Sequence, residues 1–135
     1  MESRSINRYN SFLNSLNNLK SARTRDITDD FVVSGTIQKF NLTFDIAWKV
    51  MKDIIINHYK VLDFATGSPR ETLRIAASVK LIDDDTWMTM LDERNAFAHD
   101  YDGELAKDGV NHIINIYLPL FEKLNVQINT IGVYK

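Results

Sequence analysis

FVVSGTIQKFNLTFDIAWKVMKDIIINHY, residues 31–59, is the stretch that decides the fold. Phe31, Ile37, Phe40, Phe44, Ala47, Trp48, Met51, Ile54 and Ile55 recur in steps of three and four. That is the period of one face of an α-helix. The length is unusual for a globular helix, and a helix this long needs partners along its whole apolar face. Ile54-Ile55-Ile56 would suit a buried strand in isolation, but it continues the helical pattern. Thr28, Asp29 and Asp30 precede the run and supply capping chemistry. Gly35 is expected either to bend the helix or to admit a close neighbour.

The neighbouring segments read the same way. Upstream, Tyr9, Phe12, Leu13, Leu16 and Leu19 fall at helical spacing, and the polar Ser21–Thr28 reads as a loop. Downstream, Thr66-Gly67 marks a turn. Ser68, Pro69 and Glu71 then combine an N-cap, a proline at the first helical position and a capping box. The short helix that follows carries Leu73, Ile75, Ala76, Ala77 and Val79. Asp83-Asp84-Asp85 opens a fourth helix, running to about Ala98. A fifth covers roughly Glu104 to Gln127, with Pro119 expected to kink it. No segment alternates with period two. The fold class is therefore all-α, an up-and-down bundle of four to five helices, and residues 1–135 read as one domain.

Composition narrows the function classes. The chain has 135 residues, a formal net charge of −2 and no cysteine. Disulfides, thiolate catalysis and cysteine-based zinc sites are excluded, and a reducing cytoplasm is the expected setting. No global basic field draws the chain to nucleic acid or anionic lipid, so such binding needs a local patch or a second subunit. No apolar run approaches the ~18 residues of a membrane span, and the N-terminus lacks the apolar region of a signal peptide. His58 and His112 share no i,i+4 spacing with each other or with His99, so no metal is expected. Gly67-Ser68 with Asp83 and Asp85 faintly resembles a nucleotidyltransferase metal site. The cap at Ser68 and the helix start at the aspartates make both structural. Phe40, Phe44 and Trp48 read as core. Arg70 with Arg74, and Lys20, Arg23 and Arg25, read as solvated surface before they read as RNA or partner contacts.

The fourth helix holds an anomaly. On a helical wheel Trp87, Met90, Leu91, Phe97 and Ala98 form its apolar stripe, and Arg94 lies in the middle of it. An unpaired buried guanidinium would cost several kcal/mol. Arg94 must therefore be paired, by Asp92, Glu93, Asp100 or Asp102 nearby, or face a cleft or another subunit. His99 follows at the helix end, either as a partner of the helix dipole or as a proton-transfer group. Arginine fits a phosphate with its fork. One arginine and one histidine suffice in kind for metal-free RNA cleavage, but two copies across a two-fold axis would make a fuller site.

The R-x-x-x-x-H spacing of Arg94 and His99 resembles that of HEPN domains, small helical bundles found in nucleases. The longer R-N-x-x-x-H-x-Y form, Arg94 to Tyr101, is similar to HEPN toxins paired with a minimal nucleotidyltransferase antitoxin. Three further blocks resemble the nucleotidyltransferase substrate-binding branch: G-T-I-Q-K-F-N-L-T-F-D-I-A-W-K (Gly35–Lys49), G-S-P-R-E (Gly67–Glu71) and D-T-W-M-T-M-L (Asp85–Leu91). The resemblance implies a homodimer with Arg94 and His99 in a composite ribonuclease site at the interface and Asn95 orienting it. Tyr101 would accept AMP from the partner transferase, which silences the toxin. It implies no resident cofactor. Its alternative is a non-catalytic substrate- or nucleotide-binding subunit of a two-chain nucleotidyltransferase.

Overall fold

The long helix is α2 (Asp30–Asn57), and it is the spine of the molecule. A computed structural model describes residues 3–63, 67–98 and 103–134. Before α2 come α1 (Ser3–Lys20) and a 3₁₀ turn (Ser21–Thr24). After it come α3 (Pro69–Ser78) and α4 (Thr86–Phe97). The last stretch is α5 (Gly103–His112), a π-helical turn (Ile113–Tyr117) and α6 (Leu118–Ile131). Right-handed helical backbone runs through both junctions, at His112 and Leu118. These pieces are the single fifth helix expected from the sequence. Among the described residues there is no strand, and no helix is long and apolar enough to cross a membrane.

The starts of these helices follow their local chemistry. Asp29 accepts from the Phe31 amide at 2.8 Å and caps α2. Ser68 accepts from the Glu71 amide at 3.3 Å with Pro69 at the first position. The reciprocal half of the expected capping box is replaced by a loose Glu71–Arg74 pair at 3.7 Å. Of the three aspartates before α4, Asp84 caps, accepting from the Thr86 amide at 2.8 Å. Bonds from Thr86 hold its carboxyl below the usual aspartate range. Asp83 instead turns to Lys123 at 2.9 Å.

Cross-helix contacts give the topology. Ser5 meets Asn57, Arg8 meets Asp53 and Ser15 meets Thr43, so α1 and α2 run antiparallel. Phe97 meets Phe40 and Arg94 meets Asp45, which sets α4 against α2. Asp83 meets Lys123, Trp87 meets Phe121 and Glu93 meets Tyr117, which sets the last helix against α4. Tyr9–Asn125 and Arg23–Glu122 close it back onto α1. The result is an up-down-up-down bundle with α3 packed outside, against α2 and α4.

The buried side chains form one continuous cluster. Phe12, Phe40, Phe44, Trp87, Phe97, Tyr117 and Phe121 supply its aromatic centre. Gly109 is needed where α5 crosses this centre, because a Cβ there would run into the Phe97 ring. Gly35 does no such work: a Cβ would meet nothing within 4 Å, so the expected close neighbour is absent. The irregularity expected at Pro119 is the π turn just ahead of it. A proline offers no amide and crowds the carbonyl one turn back, and a widened turn at that place accommodates both faults.

Candidate functional site

Arg94 sits in the last turn of α4, and its guanidinium crosses to α2. Nε donates to Asp45 Oδ1 at 3.1 Å and Nη2 donates to Asp45 Oδ2 at 2.7 Å. This resolves the anomaly of a cation on an apolar stripe. Among the described residues its partner is neither Asp92 nor Glu93 but a carboxylate 49 positions upstream, and the other two candidates, Asp100 and Asp102, lie outside the described residues. Trp87, Met90, Leu91 and Phe97 are buried as the wheel requires. Ala98, one turn after Arg94, is exposed rather than part of the stripe. The apolar face thus stops short of the helix end, where Arg94 and Asn95 stand at a surface cleft. Asn95 is exposed, with Oδ1 3.5 Å from Nη1 of Arg94.

The cleft holds about 270 Å³. Phe44 and Leu91 form its floor, and Trp48 and Pro69 stand at its sides. Asp45, Lys49, Arg94 and Asn95 supply its polar groups. Phe40 and Phe44 are fully buried, as expected of core residues, whereas Trp48 is half-buried: it packs against the core and also lines the cleft. The Arg94 and Asp45 side chains keep 28% and 36% of their surface exposed. The pair is therefore reachable by a ligand, and its charge is not sealed in the core. A larger hollow of about 550 Å³ lies between α3 and α6, and none of the candidate site residues lines it.

Beside Arg94 on α4, Glu93 faces the opposite flank. It accepts from the buried Tyr117 hydroxyl at 2.5 Å and meets His112 Nδ1 at 2.9 Å. Burial, and then the Glu93 carboxylate, push the Tyr117 phenol well above its ordinary range. The sequence reading dismissed His112 as a metal ligand and found no other role for it. Only the packing of the π turn against α4 brings the three together. Arg70 pairs with Asp92 at 2.8 Å, and Lys20 and Arg23 share Glu122, so these cations are surface pairs. Among the described residues no group of three His, Asp or Glu is arranged to hold a metal ion. His99 and Tyr101 lie outside the described residues.

Residues 4–130 match the family described as "Nucleotidyltransferase substrate binding protein like". The chain belongs to that family. The match spans every block on which the resemblance rested, from Gly35 in α2 to Leu91 in α4, and it includes Arg94, Asn95, His99 and Tyr101. No curated protein matches the chain. Family membership agrees with the helical bundle. It speaks to association with a nucleotidyltransferase in its description and not to ribonuclease chemistry.

Proposed function

We propose that this protein is the toxin half of a toxin–antitoxin pair: a homodimeric, metal-independent endoribonuclease silenced by a nucleotidyltransferase partner. The observation that carries this reading is the pairing of Arg94. A guanidinium held by a carboxylate, yet with 28% of its side chain still exposed in a cleft of about 270 Å³, is suited to a phosphate. His99, five residues on, supplies the proton chemistry. One His99 takes the proton of an RNA 2′-hydroxyl, and the 2′-oxygen attacks the adjacent phosphorus. Arg94 stabilises the extra negative charge of the phosphorane. The bond to the 5′-oxygen breaks, and that oxygen receives a proton from the partner subunit's His99. The products are a 2′,3′-cyclic phosphate and a 5′-hydroxyl. A base and an acid are needed at once, which is the reason for two copies across a two-fold axis. Asn95 beside Nη1 helps fix the guanidinium.

The test is expression without the partner transferase. Wild type should arrest growth and fragment cellular RNA, with cyclic phosphate ends on the fragments. His99→Ala should do neither, while remaining a folded dimer. Identical behaviour of the two proteins would sink the ribonuclease reading.

The family description favours a second reading, in which the chain serves chiefly as a binding subunit for the transferase. Both readings give Tyr101 the same part. Incubation with the partner, ATP and Mg²⁺ should add one or more AMP units to the intact mass, and Tyr101→Phe should abolish the gain. In the first reading that adduct also stops RNA cleavage. In the second there is no cleavage to stop. An unchanged mass with a demonstrably active partner counts against modification in either.

A further inference from the structure

We infer that Asp45 is a positioning residue of the Arg94 site, aiming the free edge of the guanidinium at a single phosphate group of an RNA backbone. The choice of RNA as the phosphate donor rests on the ribonuclease reading. The geometry of the pair does not.

A guanidinium has five N–H donors, arranged as two parallel-pair edges and one remaining bond. Asp45 occupies the edge formed by Nε and Nη2, with both of its oxygens engaged. On the second edge, Nη1 with Nη2, the described residues supply only one further contact, a long 3.5 Å bond from Nη1 to Asn95 Oδ1. Arg94 can therefore hold the carboxylate side-on and a phosphate end-on at the same time. The carboxylate itself is well anchored. It projects from the middle of α2, between the fully buried Phe44 and Ala47, while Arg94 stands at the last turn of α4. A long flexible side chain at a helix end would otherwise sample many rotamers. Tying its Nε to a rigid helix removes that freedom before substrate arrives.

The charge balance shows that the role is aim and not affinity. Asp45 cancels the charge of Arg94 and repels any incoming phosphate, leaving Lys49, one turn along α2 in the same cleft, as a cation with no carboxylate partner among the described residues. A site built only to bind phosphate gains nothing from that carboxylate. A site that must present one phosphate in one orientation to a histidine does.

Asparagine at position 45 distinguishes the two. It keeps the size but offers one acceptor and one donor, so its amide nitrogen would face the N–H groups of Nη2. Asp45→Asn should leave KM for a short single-stranded RNA equal or lower, lower kcat at least ~10-fold, and spare the melting temperature. Asp45→Glu should recover part of kcat. A kcat within twofold of wild type overturns the inference, and so does a loss seen entirely in KM. A second readout needs no catalysis. With ¹⁵N-arginine protein and an uncleavable 2′-O-methyl oligonucleotide, the Arg94 Nη signals should shift on titration while Nε stays fixed. In Asp45→Asn the Nε signal should already be displaced before ligand is added. An Nε signal that moves in wild type on adding the oligonucleotide means that phosphate replaces Asp45, and the inference fails. Absence of any RNA cleavage by wild type sinks the ribonuclease reading instead, and the Nε and Nη signals then judge Asp45 separately.

Discussion

Phe40→Ala is expected to lower the unfolding free energy by about 3–5 kcal/mol, the range for truncating a fully buried phenylalanine. Phe40 has no exposed surface, and four other rings lie against it: Phe44, Phe97, Tyr117 and Phe121, with centroids 5.4–6.4 Å away. Three of these come from other helices, α4, the π turn and α6. The cavity would thus open where three elements meet α2, and none of them can close it without leaving its other contacts. Aromatic pairing adds roughly 0.5–1.5 kcal/mol per pair beyond the area buried, so the upper end of the range is the better expectation. Domains of this kind are stable by about 5–15 kcal/mol in total, and the substitution removes a large share. Urea unfolding of wild type and variant would measure it. A loss below ~1 kcal/mol would show that Phe40 is not the centre of the core. Phe40→Leu, which keeps most of the volume, should cost clearly less.

That centre was legible in the sequence because a helix reports its own buried face. Phe40, Phe44, Ala47, Met51, Ile54 and Ile55 are buried at the spacing that identified them. Trp48 packs against the core but is only half-buried. Its neighbours at three and four residues are apolar, so the period assigns it to the core, but α2 turns that flank to the cleft beside α3. Periodicity gives a direction around a helix and not the distance to the next helix. The three aspartates before α4 show a similar limit. The pattern says a cap is present, and only the backbone says that Asp84 is the one that caps. Phe31 marks the other edge of the pattern: it shares the apolar period yet is 90% exposed, and in that first turn of α2 it is Val33 that enters the core.

The site was legible as a question more than as an answer. The wheel showed that Arg94 needed a partner, and local spacing offered only the carboxylates of α4 and its C-terminal flank. The partner among the described residues, Asp45, is adjacent because α4 lies antiparallel on α2 in one register, and no local pattern encodes that register. Asp45 was already inside the Gly35–Lys49 block that resembled the family, without a role attached to it. The Glu93–His112–Tyr117 cluster was invisible for the same reason, compounded by the π turn. That turn adds a residue to the helical repeat, and a wheel drawn at a constant 100° per residue misplaces everything after it.

Arg94→Lys is expected to reduce RNA cleavage ~10²–10³-fold, nearly as much as Arg94→Ala, although it keeps the positive charge. The structure explains why charge is not enough. Arginine meets Asp45 with one edge and has a second edge left for phosphate. Lysine has a single ammonium centre. If it reaches Asp45 it forms an ion pair there and is drawn away from the phosphate, and if it turns to the phosphate it leaves Asp45 with no partner. Either way the directional, two-point hold on the phosphorane is lost. Stability should change little, by ~1 kcal/mol or less for Arg94→Lys, because the Arg94–Asp45 pair keeps about a third of its surface in solvent. The measurement is single-turnover cleavage of a defined RNA together with a melting curve for each variant. Cleavage by Arg94→Lys within a few-fold of wild type would mean that only the charge matters, which contradicts both the fork and the brace. If instead Arg94→Lys is inactive and Asp45→Asn is impaired, the double variant separates the two. When Asp45 acts solely through Arg94, removing it from an enzyme that already lacks the guanidinium should cost nothing more.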